Sequence, residues 1–315
     1  MVDMDSYYWK RLAVVAMVCF LYICTTESAP GTTLNINRIF LGRCLEYQEL
    51  TKGTLIQPVK VNCTELWSVF AKAWIHKDPR SIVPSDFDEF FDTAKQTDLP
   101  KDKILLWSGT YGIAHEYSNQ GRRYVTLEDS LIGYLVNGLT WCGMVCSKCD
   151  GINYVECPEF SDLPREANQA FWGGASRTFA RTSSGMVRLM VSGTNENRQA
   201  YSKESYFGQF ELPSLSSDVH LQVILVNFLD KIPLERCNTG SLVALQKDVE
   251  SRGLSYSCTE NPLDVLHLMC VSDPSATKCE IDRPTDVLSA PPSLPDVLSG
   301  RVRQRNELQD DFRVE

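Results

Sequence analysis

Three signatures of common nucleotide and acyl chemistry are missing from the 315 residues. No GxGxxG follows a strand pattern, no phosphate-binding GxxxxGK[ST] loop occurs, and no GxSxG elbow is present. A Rossmann dehydrogenase, a P-loop ATPase and an α/β-hydrolase therefore have no mark here. Histidine is scarce. His76, His115, His220 and His267 show no metal-ligand spacing, so no metal site is expected. Nothing marks a Ser/His/Asp triad. Positive charge is also short, with 31 Lys and Arg against 40 Asp and Glu and a net charge of −9. That balance argues against sequence-independent nucleic-acid binding. Only one long hydrophobic run is found, near the N-terminus, and the charged end "QRNELQDDFRVE" carries no lipid-anchor signal.

What is present begins with that run. Lys10 and Arg11 precede apolar residues 12–24, followed by polar residues and "ESA" before Pro30. The pattern predicts a secretory signal peptide over 1–29, an uncleaved type II signal anchor being the alternative. The run is shorter than the roughly 20 apolar residues a spanning helix needs, so the mature chain is expected to lack a stable membrane anchor. The expected location is secreted, or the lumen of secretory compartments or granules. Cysteine usage agrees. Beyond Cys19 and Cys24 lie Cys44, Cys63, Cys142, Cys146, Cys149, Cys157, Cys237, Cys258, Cys270 and Cys279, an even set that reads as disulfides in an exported chain. A four-thiolate zinc site at Cys142, Cys146, Cys149 and Cys157 is the alternative, though a second close CxxC pair is lacking. Asn62-Cys63-Thr64 is a glycosylation sequon whose middle residue is expected to be bridged.

Helical patterns fill 31–100. "CTELWSVFAKAWI" puts Leu66, Phe70, Ala73 and Trp74 on one face, and "PSDFDEFFDTA", with Ser85 as a cap, aligns Phe87, Phe90, Phe91 and Ala94. Another helix is expected from Thr126, with Leu127, Leu131, Ile132, Leu135 and Leu139 at helical spacing. Thr126 and Asp129 form a capping box at its start. That accounts for Asp129 and leaves the adjacent Glu128 without a structural duty. "KILLWSG", "MVRLMVSG" and "VHLQVILV" have strand length, and the third suits a strand of a parallel sheet buried on both faces. A helix follows in "GSLVALQKDVESRGL", capped by Ser241 and stopped by Gly253, and then a strand in "LSYSC". The fold class expected is α/β with two parts, a helical domain and a parallel-sheet domain. The last 35 residues or so are rich in proline, repeat DVLS, and read as a disordered tail over 283–315.

Ligands of open parallel sheets gather outside the carboxyl ends of the strands. Trp107, with Ser108 and Gly109 beside it, stands at such an end. An indole there can stack on a flat heterocycle; the plainer assignment is core packing. Trp172 in "AFWGGASRTFA" offers the same choice, and its two glycines allow either close backbone approach or a break before a helix. "ESYFGQFEL", containing Glu211, reads on its own as an edge strand with a solvated carboxylate.

Taken together, "KILLWSG", "AHEYSNQGRRYVTLEDSLIGYL", "LTWCG", "FWGGASRTFA", "SYFGQFELP" and the cysteine-bearing C-terminal third resemble the ADP-ribosyl cyclase/cyclic ADP-ribose hydrolase family over roughly 38–282. The likeness is nearest to the soluble invertebrate cyclases. It implies a helical domain over 31–100 plus 126–183 and a sheet domain over 101–125 plus 184–282, with the site in the cleft between them. It implies that Glu211 is the catalytic glutamate and that Trp107 and Trp172 flank the nicotinamide. It implies that Glu128 contacts the carboxamide and helps decide the product, and that Asn137, Ser176, Tyr206 and Phe207 are further pocket positions, grouped with Ser108, Gly109 and Leu127. NAD or NADP is then the substrate and no cofactor is expected. The activity implied is cyclisation to cyclic ADP-ribose with some hydrolysis and base exchange, the alternatives being a plain NAD glycohydrolase or a noncatalytic secreted binder. The dinucleotide is the expected partner, and a homodimer is left open.

Two departures stand out. Tyr206 occupies a place where invertebrate cyclases tend to have Phe and vertebrate members Thr. Arg80 and Leu163 replace a cysteine pair of the family. The resemblance pairs Cys44 with Cys63, Cys142 with Cys157, Cys237 with Cys258 and Cys270 with Cys279, leaving Cys146 and Cys149 close enough to join. In this chemistry nicotinamide leaves neutral from a cationic pyridinium, so no general acid is needed, and Glu211 is expected to be anionic at neutral pH on its ordinary pKa of about 4.3.

Overall fold

The computed structural model describes residues 30–50, 54–56, 59–94, 99–158 and 167–280. The expected signal peptide, the proline-rich tail and Leu163 lie outside the described residues. Helices α1 (Ile36–Leu50), α2 (Cys63–Trp74) and α3 (Asp88–Ala94) come first. Strand β1 (Ile104–Ser108), helix α4 (Tyr111–Ser118), the short helix α5 (Leu131–Tyr134) and the long helix α6 (Ala167–Arg181) follow. The remainder is β2 (Met186–Ser192), β3 (His220–Val226), α7 (Ser241–Ser251), β4 (Ser255–Glu260), α8 (Leu263–Ser272) and α9 (Thr277–Glu280).

Asn62 starts α2, its side chain accepting from the backbone N–H groups of Thr64 and Glu65 at 3.1 and 3.3 Å. The apolar stripe then buries Leu66, Phe70, Ala73 and Trp74, as its spacing requires. Phe70 is the hub of an aromatic cluster. It meets Phe90, Trp141 and Phe171 edge-on at centroid distances of 5.5, 5.4 and 5.8 Å.

The four strands lie in sequence order β1-β2-β3-β4, all parallel. Alternation gives each face its own task. Ile104, Leu106, Val187, Leu189, Val191, Leu221, Val223 and Leu225 join the same apolar cluster as the helices α1–α3 and α6. Leu105, Met190, Ile224 and Val226 point the other way, onto Ile113 and Tyr117 of α4 and Val265 and Met269 of α8. Burial on both faces is why β3 is nearly continuously apolar. Among the described residues, five disulfides join Cys44–Cys63, Cys142–Cys157, Cys146–Cys149, Cys237–Cys258 and Cys270–Cys279. The four thiols of the zinc alternative are thus spent in two bridges.

Several local expectations need correction. The helix from Thr126 is broken. A 3₁₀ turn, Leu127–Asp129, comes first, and Ser130 then caps the short α5 by accepting from the Gly133 N–H. Ser85 is not a cap. Asp86 reaches back to the Val83 N–H at 2.8 Å, and Pro84–Phe87 forms a 3₁₀ turn ahead of α3. Ser241 is the first residue of α7 rather than its cap. Its N–H and hydroxyl both donate to the Glu235 carboxylate at 2.6 Å, a remote acid that replaces the local cap. "ESYFGQFEL" is not an edge strand. Phe207–Glu211 is a single π-helical turn lying against α6, because that packing outweighs the strand propensity of its aromatics. Nor do Gly173 and Gly174 break a helix; α6 runs through both.

Gly133 shows how tightly the segment around Glu128 is held. A Cβ there would stand 2.2 Å from the Leu127 carbonyl oxygen and 2.8 Å from the Glu128 Cα, and backbone cannot yield as a side-chain tip does. Gly133→Ala is therefore expected to destabilise the fold by about 1–3 kcal/mol, an overpacking cost. A lowered midpoint in urea unfolding, with unchanged slope, is the check.

Candidate active site

One cleft opens at the carboxyl end of β1. Trp107 and Ser108 come from that strand, and Leu127 and Glu128 from the 3₁₀ turn. Trp172 and Ser176 are one helical turn apart on α6 and so share a face. Tyr206, Phe207 and Glu211 belong to the π-helical turn and the residue before it. The lining of the cleft contains two carboxylates and no cation. Leu105 and Leu106, which sequence reasoning did not single out, also line it.

The turn is fixed by contact with α6. A Cβ on Gly173 would come within 2.7 Å of the Phe210 ring, so glycine lets that ring seat directly on the helix. The Tyr206 hydroxyl donates to the Gln169 carbonyl at 3.2 Å. Glu211 is then only 7% exposed and accepts a hydrogen bond from Ser176. Burial pushes its carboxyl up to about 8, Ser176 pulling it down and the nearby Glu128 charge adding to the rise. This corrects the expectation of an untuned anion. In the free cleft, burial favours the protonated form of Glu211.

The doublet Glu128-Asp129 divides its work. Asp129 Oδ2 accepts from both the N–H and the hydroxyl of Thr126 at 2.9 Å, the capping box read from sequence. Glu128 instead accepts from the Trp107 indole N–H at 3.3 Å and forms part of the cleft wall. Gly109 and Asn137 do not line the cleft. Gly109 takes a left-handed φ of +67° at the end of β1, with an Arg198 guanidinium nitrogen 3.5 Å from where its Cβ would be. Asn137 hydrogen-bonds Tyr111, whose ring meets Trp107 edge-on at 5.3 Å. Tyr111 and His115, four residues apart on α4, are neighbours of the site that the sequence reading passed over. Their signal was available as an i, i+4 pair directly after a strand end. Among the described residues, no group of three or more His, Cys, Asp or Glu side chains is arranged to hold a metal ion, and no helix is long and apolar enough to cross a membrane.

Chemically, the arrangement is an apolar slot with a protected carboxyl at its floor and indoles on its walls. It suits a flat cationic ring bonded to a polar group that the carboxylates can reach.

Comparison with known proteins agrees in kind. A model of the family described as ADP-ribosyl cyclase matches residues 33–279. The ADP-ribosyl cyclase/cyclic ADP-ribose hydrolase of Aplysia kurodai is 39% identical over 275 residues, covering 86% of this chain and 96% of that one. The corresponding protein 2 of Rattus norvegicus is 33% identical over 257 residues, covering 81% of this chain and 78% of its own length. A crystal structure of Aplysia cyclase complexed with substrate NGD and product cGDPR superposes with a TM-score of 0.75 at 39% identity, over 80% of this chain and 98% of that one. With the family model spanning most of its length and these relatives matching along more than three quarters of theirs, the chain belongs to the ADP-ribosyl cyclase family.

Proposed function

We propose that this protein is an NAD-consuming ADP-ribosyl cyclase that cleaves the bond between nicotinamide and ribose, with Glu211 as the catalytic carboxylate. One observation carries the reading: the buried carboxyl of Glu211 lies in a cleft walled by Trp107, Trp172 and Phe207, in a chain of this family. In NAD the pyridinium nitrogen is positively charged. As the C1′–N bond breaks, its electron pair passes to that nitrogen, and nicotinamide leaves neutral. Positive charge moves onto the ribose carbon as an oxocarbenium ion. A carboxylate in a water-poor site stabilises that charge more than water would.

The free cleft keeps Glu211 protonated below about 8. An incoming pyridinium favours the ionised form, so substrate entry draws the proton off and supplies the anion where it is used. The intermediate is then captured. Addition of water, with loss of a proton, gives ADP-ribose. Attack by a ring nitrogen of the substrate's own adenine gives cyclic ADP-ribose, and a free pyridine base gives exchange, on NADP as on NAD.

Tyr206 favours cyclisation over plain hydrolysis. Its hydroxyl donates to the Gln169 carbonyl, and as an aromatic member of the cleft lining it can help hold a base near the ribose. A noncatalytic binder is disfavoured, since it has no use for a carboxyl whose burial is costly. Glu128, bonded to Trp107, is assigned to the nicotinamide carboxamide. Around this cleft the chain divides into a helical domain over 31–100 plus 126–183 and a sheet domain over 101–125 plus 184–282. The mature protein acts in a secretory or extracellular space and takes no cofactor.

Incubating the purified protein with NAD and separating the products by chromatography tests the assignment, and absence of nicotinamide release would remove it. Glu211→Gln is expected to lower kcat by about three orders of magnitude or more, the upper range for losing an electrostatic stabiliser. For the wild type, kcat/KM is expected to rise about tenfold per pH unit below pH 8 and then level off, since that ratio reports the free enzyme. Stability should respond in the opposite sense. Between the ordinary value of 4.5 and about 8, the folded state holds a proton that the unfolded chain has lost, so this group's contribution falls as pH rises. Glu211→Gln is accordingly expected to melt above the wild type at pH 8.5, with the gap closing towards pH 5, as calorimetric scans would show.

A further inference from the structure

Glu128 shares its surroundings with a histidine that has no role in the account above. His115 lies on α4, directly after the strand end that carries Trp107. Its Nε2 is buried and makes no hydrogen bond. The same nitrogen stands 3.8 Å from Glu128 Oε2, the oxygen that accepts from the Trp107 indole. That distance is too long for a hydrogen bond, and a small shift of either side chain closes it. The ring itself is well held, with the Tyr111 ring 4.2 Å away and that of Trp107 at 6.1 Å. A buried nitrogen without a partner is uncommon and costly, which calls for a reason to keep it there.

We propose that His115 is a positioning residue for Glu128, its Nε2 acting with the Trp107 indole to hold the Glu128 carboxylate at the angle that meets the carboxamide of nicotinamide. The idea rests on the functional reading above and deepens it. Two donors aimed at one oxygen fix a carboxylate that one donor would leave free to rotate. With Glu128 Oε2 engaged from the Trp107 and His115 side, the second oxygen is left to accept from an amide N–H of the ligand. Asp129, the next residue, is also within electrostatic range of His115, but its Oδ2 is already engaged by Thr126. The histidine therefore acts on the one member of the doublet that faces the ligand. Tyr111 completes the support, hydrogen-bonded in turn to Asn137. This gives Asn137, which stands outside the cleft lining, a route to the site through Tyr111 and His115.

Two substitutions separate the N–H from the ring. His115→Phe keeps an aromatic ring on Tyr111 and removes the donor. His115→Gln gives up the ring and places an amide N–H near the position of Nε2. Binding of free nicotinamide is measured by titration calorimetry, and the cyclic-to-linear product ratio from NAD by chromatography. His115→Phe is expected to weaken nicotinamide binding roughly tenfold, the effect of one charge-assisted hydrogen bond, and to move the product ratio. His115→Gln is expected to restore most of both. Nicotinamide bound by His115→Phe as tightly as by the wild type would overturn the proposal. So would a His115→Gln protein as defective as His115→Phe, since the ring and not the N–H would then be what matters. A wild type that binds nicotinamide but turns over no NAD would overturn the functional reading alone, because the calorimetric comparison needs no turnover.

Discussion

A carboxyl taken out of water organises this molecule. Glu211 sits on a π-helical turn pressed against α6, with Ser176 as its hydrogen-bond partner and a second acid, Glu128, close enough to raise its proton affinity. Burial of an ionisable group without a cationic partner is unfavourable in a resting protein. The surrounding structure has to hold it in place. Gly173 admits the Phe210 ring, Tyr206 ties the turn to Gln169, and the helices and one sheet face share a single apolar cluster. Perturbed carboxyls in clefts mark functional sites because fold stability alone gives no reason to keep them.

The second acid shows the same economy at shorter range. Glu128 and Asp129 are adjacent, yet their environments assign them different work. Asp129 closes a 3₁₀ turn through Thr126, and that turn points Glu128 across to the Trp107 indole. Close packing on Gly133 keeps the turn from relaxing. The chemistry proposed at the cleft thus depends on a capping interaction and on a glycine that never touch a ligand.

Much of the architecture was legible from the chain. Strand β3 is recognisable from an apolar run too continuous for one-sided burial, and α2 from the spacing of Leu66, Phe70 and Trp74. The capping box at Thr126 follows from two residues three apart. The errors have a common cause. Ser85 and Ser241 looked like caps, but Asp86 reaching back to Val83 and the remote Glu235 carboxylate took those duties. Phe207–Glu211 looked like a strand until α6 supplied a surface that favours a turn. In each case a competing contact, with an acidic side chain or with α6, prevailed over the preference of the residue itself.

The sequence by itself determined most of the element types, the parallel sheet, the family likeness and the residue types of the site, because periodicity, capping chemistry and motif spacing are local properties. Tertiary structure alone decided that Trp107, Glu128, Trp172, Ser176 and Glu211 line one cleft, that Gly109 and Asn137 stand outside its lining, and that His115 faces Glu128. It alone also decided that Glu211 keeps its proton to about 8. A pKa depends on the solvent and charges within a few ångströms, and for Glu211 those neighbours, Ser176 and Glu128, come from segments far apart in the chain.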